Sequence, residues 1–195
     1  MKNPDLIRNS IEPIISLSEE EWIILNNYIS CKVLKKNDYF LKEGEICKSV
    51  ALVCQGILIY SKELDNADEI TTDFGIEGDW VTDNYSRLNN SPSLLNIKAL
   101  ADSKILVIQQ KDLSVLYDKV PKLEKFGRVL MEKAFVKITQ LSLDLQILSA
   151  KERYLKLLST NPGIFQRIPL YHIANYLGIA PKSLSRIRNS ISKER

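Results

Sequence analysis

"LGIAPKSLSRIRNS", residues 177–190, sets a Leu-Gly-Ile corner directly before a proline-started, serine-studded segment that carries Lys182, Arg186 and Arg188. Over 170–189 the apolar and small positions are Leu170, Ile173, Ala174, Leu177, Gly178, Ile179, Leu184 and Ile187. Ala174 falls where two helices cross and a larger side chain would hold them apart. Gly178 falls where the chain must turn with φ > 0, a conformation glycine reaches without steric penalty. Ile179, Leu184 and Ile187 then pack the second helix onto the first. Small, glycine and apolar positions agree on a helix-turn-helix. Pro181 suits the first turn of the second helix. The outward face of that helix holds Lys182, Ser183, Ser185, Arg186 and Asn189, with Arg188 near the flank, and these six are the candidate DNA-binding residues. Arginine forks onto guanine, asparagine onto adenine, and serine and lysine reach phosphates. Ala180 is a poor N-cap, which leaves amide N–H groups for a phosphate. The competing reading is an αα-hairpin with a basic exposed face and no nucleic acid.

Charge supports the first reading. The whole chain carries a formal +3, yet residues 150–195 hold nine Lys/Arg against two acids, so the C-terminal quarter is +7 and the remainder −4. A positive block on a segment with helical periodicity points to a polyanionic partner for that quarter alone. With 195 residues and 45% apolar content the chain can build a real core. No apolar run approaches the ~18 residues a membrane span requires, and the opening "MKNPDLIRNS" has no signal-peptide apolar block, which predicts a cytoplasmic protein with no membrane partner. Cys31, Cys47 and Cys54 show neither metal-ligand nor disulfide spacing and read as buried reduced thiols; no metal site and no iron–sulfur cluster is expected. One histidine, dispersed cysteines and no glycine-rich phosphate loop leave no catalytic constellation, so no enzyme is expected and Asp83 reads as a turn or capping residue. His172 reads as a surface or phosphate-side residue.

Upstream, the period changes twice. Residues 1–30 read as helical, with a Ser18–Glu21 capping box ahead of Trp22, Leu25 and Ile29. Residues 31–110 break into short β-branched or alternating runs divided by Gly44, Gly56, Gly75 and Gly78, the pattern of an antiparallel roll or sandwich. From Lys111 the period is helical again, and Ala134, Ile138, Leu141, Leu145 and Leu148 draw one apolar seam on a helix over 122–148, roughly 40 Å long at about 1.5 Å per residue. A seam that long exceeds what a small barrel can cover, which predicts a two-fold dimer along it. Gly127 would allow close packing on the roll. A second capping box, Ser149–Glu152, opens another helix that "NPG" at 161–163 ends. The expected fold class is α+β, with a jelly-roll-like antiparallel β-roll with N-terminal helices over 1–120, a dimerisation helix over 121–149, and a small all-α helix-turn-helix region over 150–195.

A glycine-punctuated roll, a long helix and a helix-turn-helix together resemble the Crp/Fnr family of bacterial transcription regulators. The resemblance is carried by "LKEGE" (41–45), "LVCQGILIY" (52–60), "EGDW" (77–80), "IKALADSKILVI" (97–108) and "LGIAPKSLSRIR" (177–188). It implies a cyclic-nucleotide-binding-like roll, a homodimer, double-stranded DNA as partner, and contact with RNA polymerase. Arg186 falls where the family has its base-reading arginine, whereas Lys182 stands where many members carry an acid and Pro181 where an arginine is common, which implies a different operator. Nucleotide-binding members carry a Gly-Glu pair and then an Arg-Ser that neutralises the cyclic phosphate. Here the first place reads Val81-Thr82-Asp83 and the second Ser91-Pro92-Ser93, with Arg87 in an Asn/Ser-rich loop. A buried phosphate without a cation is costly, so cyclic AMP is not expected and no cofactor is assigned. Trp80, Asp83 and Ser93 are the candidate effector-pocket residues. "SISKER" is too short for the family's β-wing. The expected function is therefore a dimeric, sequence-specific transcription regulator, against the alternative of a sensory module that works through a protein partner.

Overall fold

A computed structural model describes residues 4–64 and 69–193; Glu194 and Arg195 of the basic tail lie outside the described residues. Two short helices, α1 (Pro4–Ile11) and α2 (Glu19–Asn27), precede the strands β1 (Ser30–Leu34), β2 (Tyr39–Leu41), β3 (Ser49–Gln55), β4 (Leu58–Glu63), β5 (Glu69–Gly75), β6 (Trp80–Val81), β7 (Asn96–Ala99) and β8 (Ser103–Gln109), with α3 (Asn84–Asn89) between β6 and β7. Helices α4 (Gln110–Lys119), α5 (Lys122–Ile147), α6 (Ala150–Thr160), α7 (Ile164–Arg167), α8 (Leu170–Tyr176) and α9 (Pro181–Lys193) follow. The strands form two four-stranded sheets, ordered β1-β8-β3-β6 and β2-β7-β4-β5. The chain divides into two compact units, one of Met1–Lys62 with Phe74–Lys133 and one of Glu63–Asp73 with Ala134–Arg195.

In the first unit the central pair β3–β8 explains why "SVALVCQ" and "SKILVIQ" are continuously apolar rather than alternating. The strands run antiparallel with Ala51 opposite Val107, Leu52 opposite Leu106 and Val53 opposite Ile105. Ala51, Val53, Ile105 and Val107 face the interior between the sheets, with Leu34, Leu41, Leu58, Ile97 and Ala99. Leu52, Cys54, Leu106 and Ile108 face the opposite way, into a second core with Ile7, Ile11, Trp22, Leu25, Leu116 and Phe126 from the helices. A strand covered on both faces has no solvent side to mark with polar residues. The Ser18–Glu21 capping box forms in both directions, Glu21 N–H to Ser18 Oγ at 3.2 Å and Ser18 N–H to Glu21 Oε2 at 2.6 Å. Gly127 meets not the roll but α4: a Cβ there would lie 2.7 Å from Tyr117 Oη. Cys47 and Cys54 are buried, whereas Cys31 is exposed on β1, contrary to the expectation of three buried thiols.

The second unit is built around the corner between α8 and α9. Gly178 has φ +65°, and the chain closes α8 with two reverse bonds, Ile179 N–H to Ala174 O at 3.0 Å and Gly178 N–H to Asn175 O at 2.9 Å. This is the Schellman arrangement, with glycine at the left-handed position. Beyond it α9 buries Leu184 completely, beside the equally buried Ile173 and Ala174 of α8. The Ser149–Glu152 capping box starts α6, whose Tyr154 packs edge-on against Phe165 with centroids 5.1 Å apart. Arg153 ties α6 to the corner, donating from Nε to Leu177 O at 2.9 Å and from Nη1 to Leu148 O at 2.5 Å. Asp144 on α5 accepts from Lys156 Nζ at 2.6 Å and from Gln140 at 2.8 Å, and the Lys156 bond holds its carboxyl below the ordinary carboxylate value.

Gly178 is constrained twice over, because a Cβ there would come within 2.9 Å of Leu145 Cδ2 as well as occupying left-handed φ. Gly178→Ala should therefore destabilise the second unit by roughly 1–2 kcal/mol or more, read as a lower urea midpoint for its helices; an unchanged midpoint would contradict the corner as described.

Candidate nucleic-acid interface and effector region

Helix α9 separates its residues by face. Leu184 is buried and Ile187 and Ile191 are half-buried, while Lys182, Ser185, Arg186 and Asn189 are all exposed. These four stand at i, i+3, i+4 and i+7, so they form one stripe along the helix opposite its apolar face. Arg188 is exposed on one flank, and Ser183 is half-buried on the other. The hydroxyl of Ser185 donates back to Pro181 O at 3.1 Å, so its oxygen presents lone pairs outward and must rotate to donate to a phosphate. No side chain of an acidic residue lies within α9. A cationic stripe with one amide group, carried by a helix whose other face is clamped in a core, can enter a major groove and offer fork, amide and ammonium donors to base edges and phosphates.

Helix α5 has 26 residues, about 39 Å of helix, and shows two characters in its second half. Ala134, Leu141 and Leu148 of the expected seam are half-buried within their own unit, on the face that also carries Asp144. Ile138 is exposed, as are Met131, Phe135, Val136, Leu143 and Ile147, none of these five in the expected seam; Leu145 is partly exposed, with Cδ2 at the Gly178 corner, while Phe135 is 72% and Ile138 67% exposed. The exposed apolar side chains therefore fall on two tracks, Met131, Phe135, Ile138 and Leu145 beside the expected seam and Val136, Leu143 and Ile147 farther round the helix. Helical spacing shows that a stripe exists, but only the ion pairs of Lys137 with Asp73 and of Asp144 with Lys156 show which side is already used.

His172 is the plainest correction. It is fully buried, with no exposed surface, and its Nδ1 lies 2.6 Å from Thr71 Oγ1. It stacks on the Tyr171 ring with centroids 3.8 Å apart. A surface or phosphate-side role does not fit that position.

The effector-region residues do not converge as a trio. Asp83 and Ser93 meet: Ser93 Oγ donates to Asp83 Oδ2 at 2.7 Å, and Asp83 Oδ1 accepts from Ser86 N–H at 3.2 Å as the N-cap of α3. Around them Cys47 N–H donates to Ser86 Oγ at 2.8 Å, Ser86 Oγ to Ser91 O at 2.6 Å, and Thr82 N–H to Tyr60 Oη at 3.1 Å. Trp80 faces away from this cluster into the helix-side core, edge-on to Phe126 at 5.6 Å. Alternation along β6 is the reason, since Trp80 and Val81 must point to opposite faces. Arg87 sits on α3 rather than in a loop, and its guanidinium donates to Gln110 Oε1 at 2.7 Å and Asn84 Oδ1 at 2.8 Å. Among the described residues no group of His, Cys, Asp or Glu is arranged to hold a metal, and no helix is long and apolar enough to cross a membrane.

Residues 31–119 match the family profile described as Cyclic nucleotide-binding domain. The structure is similar to FixK2 from Bradyrhizobium japonicum, with TM-score 0.73 and 15% identity over 85% of each chain. It is also similar to CLP from Xanthomonas campestris, a c-di-GMP responsive global regulator, with TM-score 0.71 and 13% identity over 91% of this chain and 93% of that one. A third likeness, TM-score 0.66 and 19% identity over 91% and 85%, is to a regulator of the Crp/Fnr family from Eubacterium rectale. The fold is that of the Crp/Fnr regulators. No curated protein sequence matches the chain.

The expected α+β architecture of antiparallel roll, long helix and further helices is therefore the observed one. Within the Crp/Fnr fold, the segment where the resemblance implies a phosphate cradle holds a carboxylate bonded to a hydroxyl. A carboxylate repels a phosphate diester, and the nearby guanidinium is engaged by two neutral side-chain oxygens. Asp83→Ala removes a helix cap and the acceptor of Ser93 together. A loss of about 1–3 kcal/mol in unfolding free energy is expected by denaturant titration, and no measurable loss would contradict this account.

Proposed function

We propose that the protein is a sequence-specific DNA-binding transcriptional regulator that acts as a homodimer and whose roll does not take cyclic AMP. The observation that carries the reading is the exposed stripe Lys182, Ser185, Arg186 and Asn189 on a helix set by the Gly178 corner. Its geometry suits insertion of the N-terminal half of α9 in the major groove, Arg186 reading a guanine and Lys182 and Arg188 meeting phosphates. In that reading Met131, Phe135, Ile138 and Leu145, with Val136, Leu143 and Ile147 beside them, form the surface that a second copy covers. An apolar helix surface can pair with its own copy across a two-fold axis, and burying it removes side chains that water solvates poorly. Two α9 helices would then address half-sites about one turn, ~34 Å, apart. The unneutralised Asp83–Ser93 pair supports the exclusion of cyclic AMP.

Selection from random duplexes should return a consensus with two related half-sites, and log affinity should fall linearly with log salt, by about 0.9 for each phosphate contact. Arg186→Ala should weaken that duplex by about 5- to 150-fold, the equivalent of roughly 1–3 kcal/mol, and relax one base position. Equal affinity for every sequence would overturn specific reading. A well-formed dimer that selects no duplex would instead favour a module acting through a protein partner. Ile138→Glu should convert the dimer to a folded monomer in sedimentation and reduce duplex affinity with it; a dimer that survives the charge would place the contact elsewhere. Calorimetry with millimolar cyclic AMP should show no saturable heat.

A further inference from the structure

The second compact unit also takes in residues 69–73, most of strand β5. Three alternate positions of that strand each engage a helix. The carbonyl of Glu69 accepts from Asn175 Nδ2 at 2.6 Å, Thr71 Oγ1 meets His172 Nδ1 at 2.6 Å, and both carboxylate oxygens of Asp73 accept from Lys137 Nζ at 2.7 Å. The period-2 geometry of a strand puts Thr71 and Asp73 side chains on one face, while His172 and Asn175, three apart, share one face of α8. Thr71 and His172 are both buried. Burial also pushes the Tyr176 phenol up, with the Asp73 carboxylate adding to the effect.

This pairing makes each partner depend on the other. An imidazole nitrogen taken out of water needs a hydrogen-bond partner, and the Thr71 hydroxyl supplies one. The helical segment from residue 150 onward is also small, and chains of that size bury too little apolar surface to be held firmly by their own core. Helix α9 packs on α8, so whatever holds α8 holds the reading helix.

We propose that Glu69–Asp73 is a strap that positions α8, and through it the DNA-reading face of α9, with the Thr71–His172 hydrogen bond as its latch. Thr71, His172 and Asn175 are positioning residues: none lies on the exposed stripe of α9, and they act by keeping the corner seated. Release of the strap loosens α8 and lowers affinity for DNA. The strand thereby gives the molecule a means of setting DNA affinity without a ligand at α9. The affinity part of this inference rests on the proposed function; the seating of α8 does not.

The test uses the full chain and two readouts, hydrogen–deuterium exchange of α8 amides and affinity for the duplex recovered by selection. Thr71→Val keeps the shape and removes the hydroxyl. It should speed exchange in α8 and α9 and weaken the duplex by about tenfold, the scale of one lost buried hydrogen bond, while β3 and β8 amides stay protected. Thr71→Ser, which restores a hydroxyl, should return both readouts to those of the parent. Asn175→Ala cuts the other end of the strap and should shift both in the same direction, so the proposal survives a Thr71→Val chain that does not fold. Unchanged exchange in α8 for both Thr71→Val and Asn175→Ala would overturn the strap. Failure of Thr71→Ser to rescue would overturn the latch, and tighter DNA binding on release would overturn the stated direction. If the parent selects no duplex, the exchange readout still decides the strap while the functional reading fails alone.

Discussion

Residue 178 sets the direction and phase of α9. A left-handed φ there lets two backbone N–H groups turn back onto the end of α8, and the absence of a Cβ leaves room for Leu145. With the turn so defined, the phase of α9 follows from its first residue. Leu184 enters the core, and the residues at 182, 185, 186 and 189 are carried to the opposite side. Any other backbone conformation at the corner would rotate this phase, and the same side chains would then face different surroundings. The cationic stripe is consequently a property of the corner as much as of the residues in it.

The roll separates a frame of buried strands from a polar loop region. Its central strands bury both faces, so the frame depends on apolar side chains that leave the loops free to vary. Around Asp83 the loops carry hydroxyls, a capping carboxylate and a thiol in a closed hydrogen-bond cluster. Asp83 Oδ1 and Oδ2, Ser86 Oγ and Ser93 Oγ are each engaged by groups of the chain itself, so the carboxylate and these hydroxyls already have partners. The arrangement caps α3 and ties it to the loop that carries Ser93.

Helix α5 shows that one amphipathic element can serve two surfaces. On one side Lys137, Leu141 and Asp144 engage their own unit, Lys137 through Asp73 and Asp144 through Lys156. On the other, Phe135 and Ile138 are largely bare. An apolar period of three and four residues does not by itself distinguish these sides, because ion pairs can mark a packed face as well as a solvated one.

The local devices were legible in the residues themselves. Ser18–Glu21, Ser149–Glu152, Gly178 and the alternation around it depend on neighbours within a few positions, and backbone sterics and capping geometry leave little choice there. The roll was legible for the same reason, since turn residues divide short β-branched runs. What only tertiary structure decided involves partners far apart in sequence. Thr71 and His172 are separated by 101 positions, and no periodicity announces that the only histidine will be buried against a strand. Trp80 points away from the Asp83 cluster because the pleat of β6 sends Trp80 and Val81 to opposite faces, and the open side of α5 follows from which side β5 and α6 engage. Sequence determines the conformations available to each segment; burial and long-range hydrogen bonding select the face each segment presents, because those energies exist only once the chain has folded.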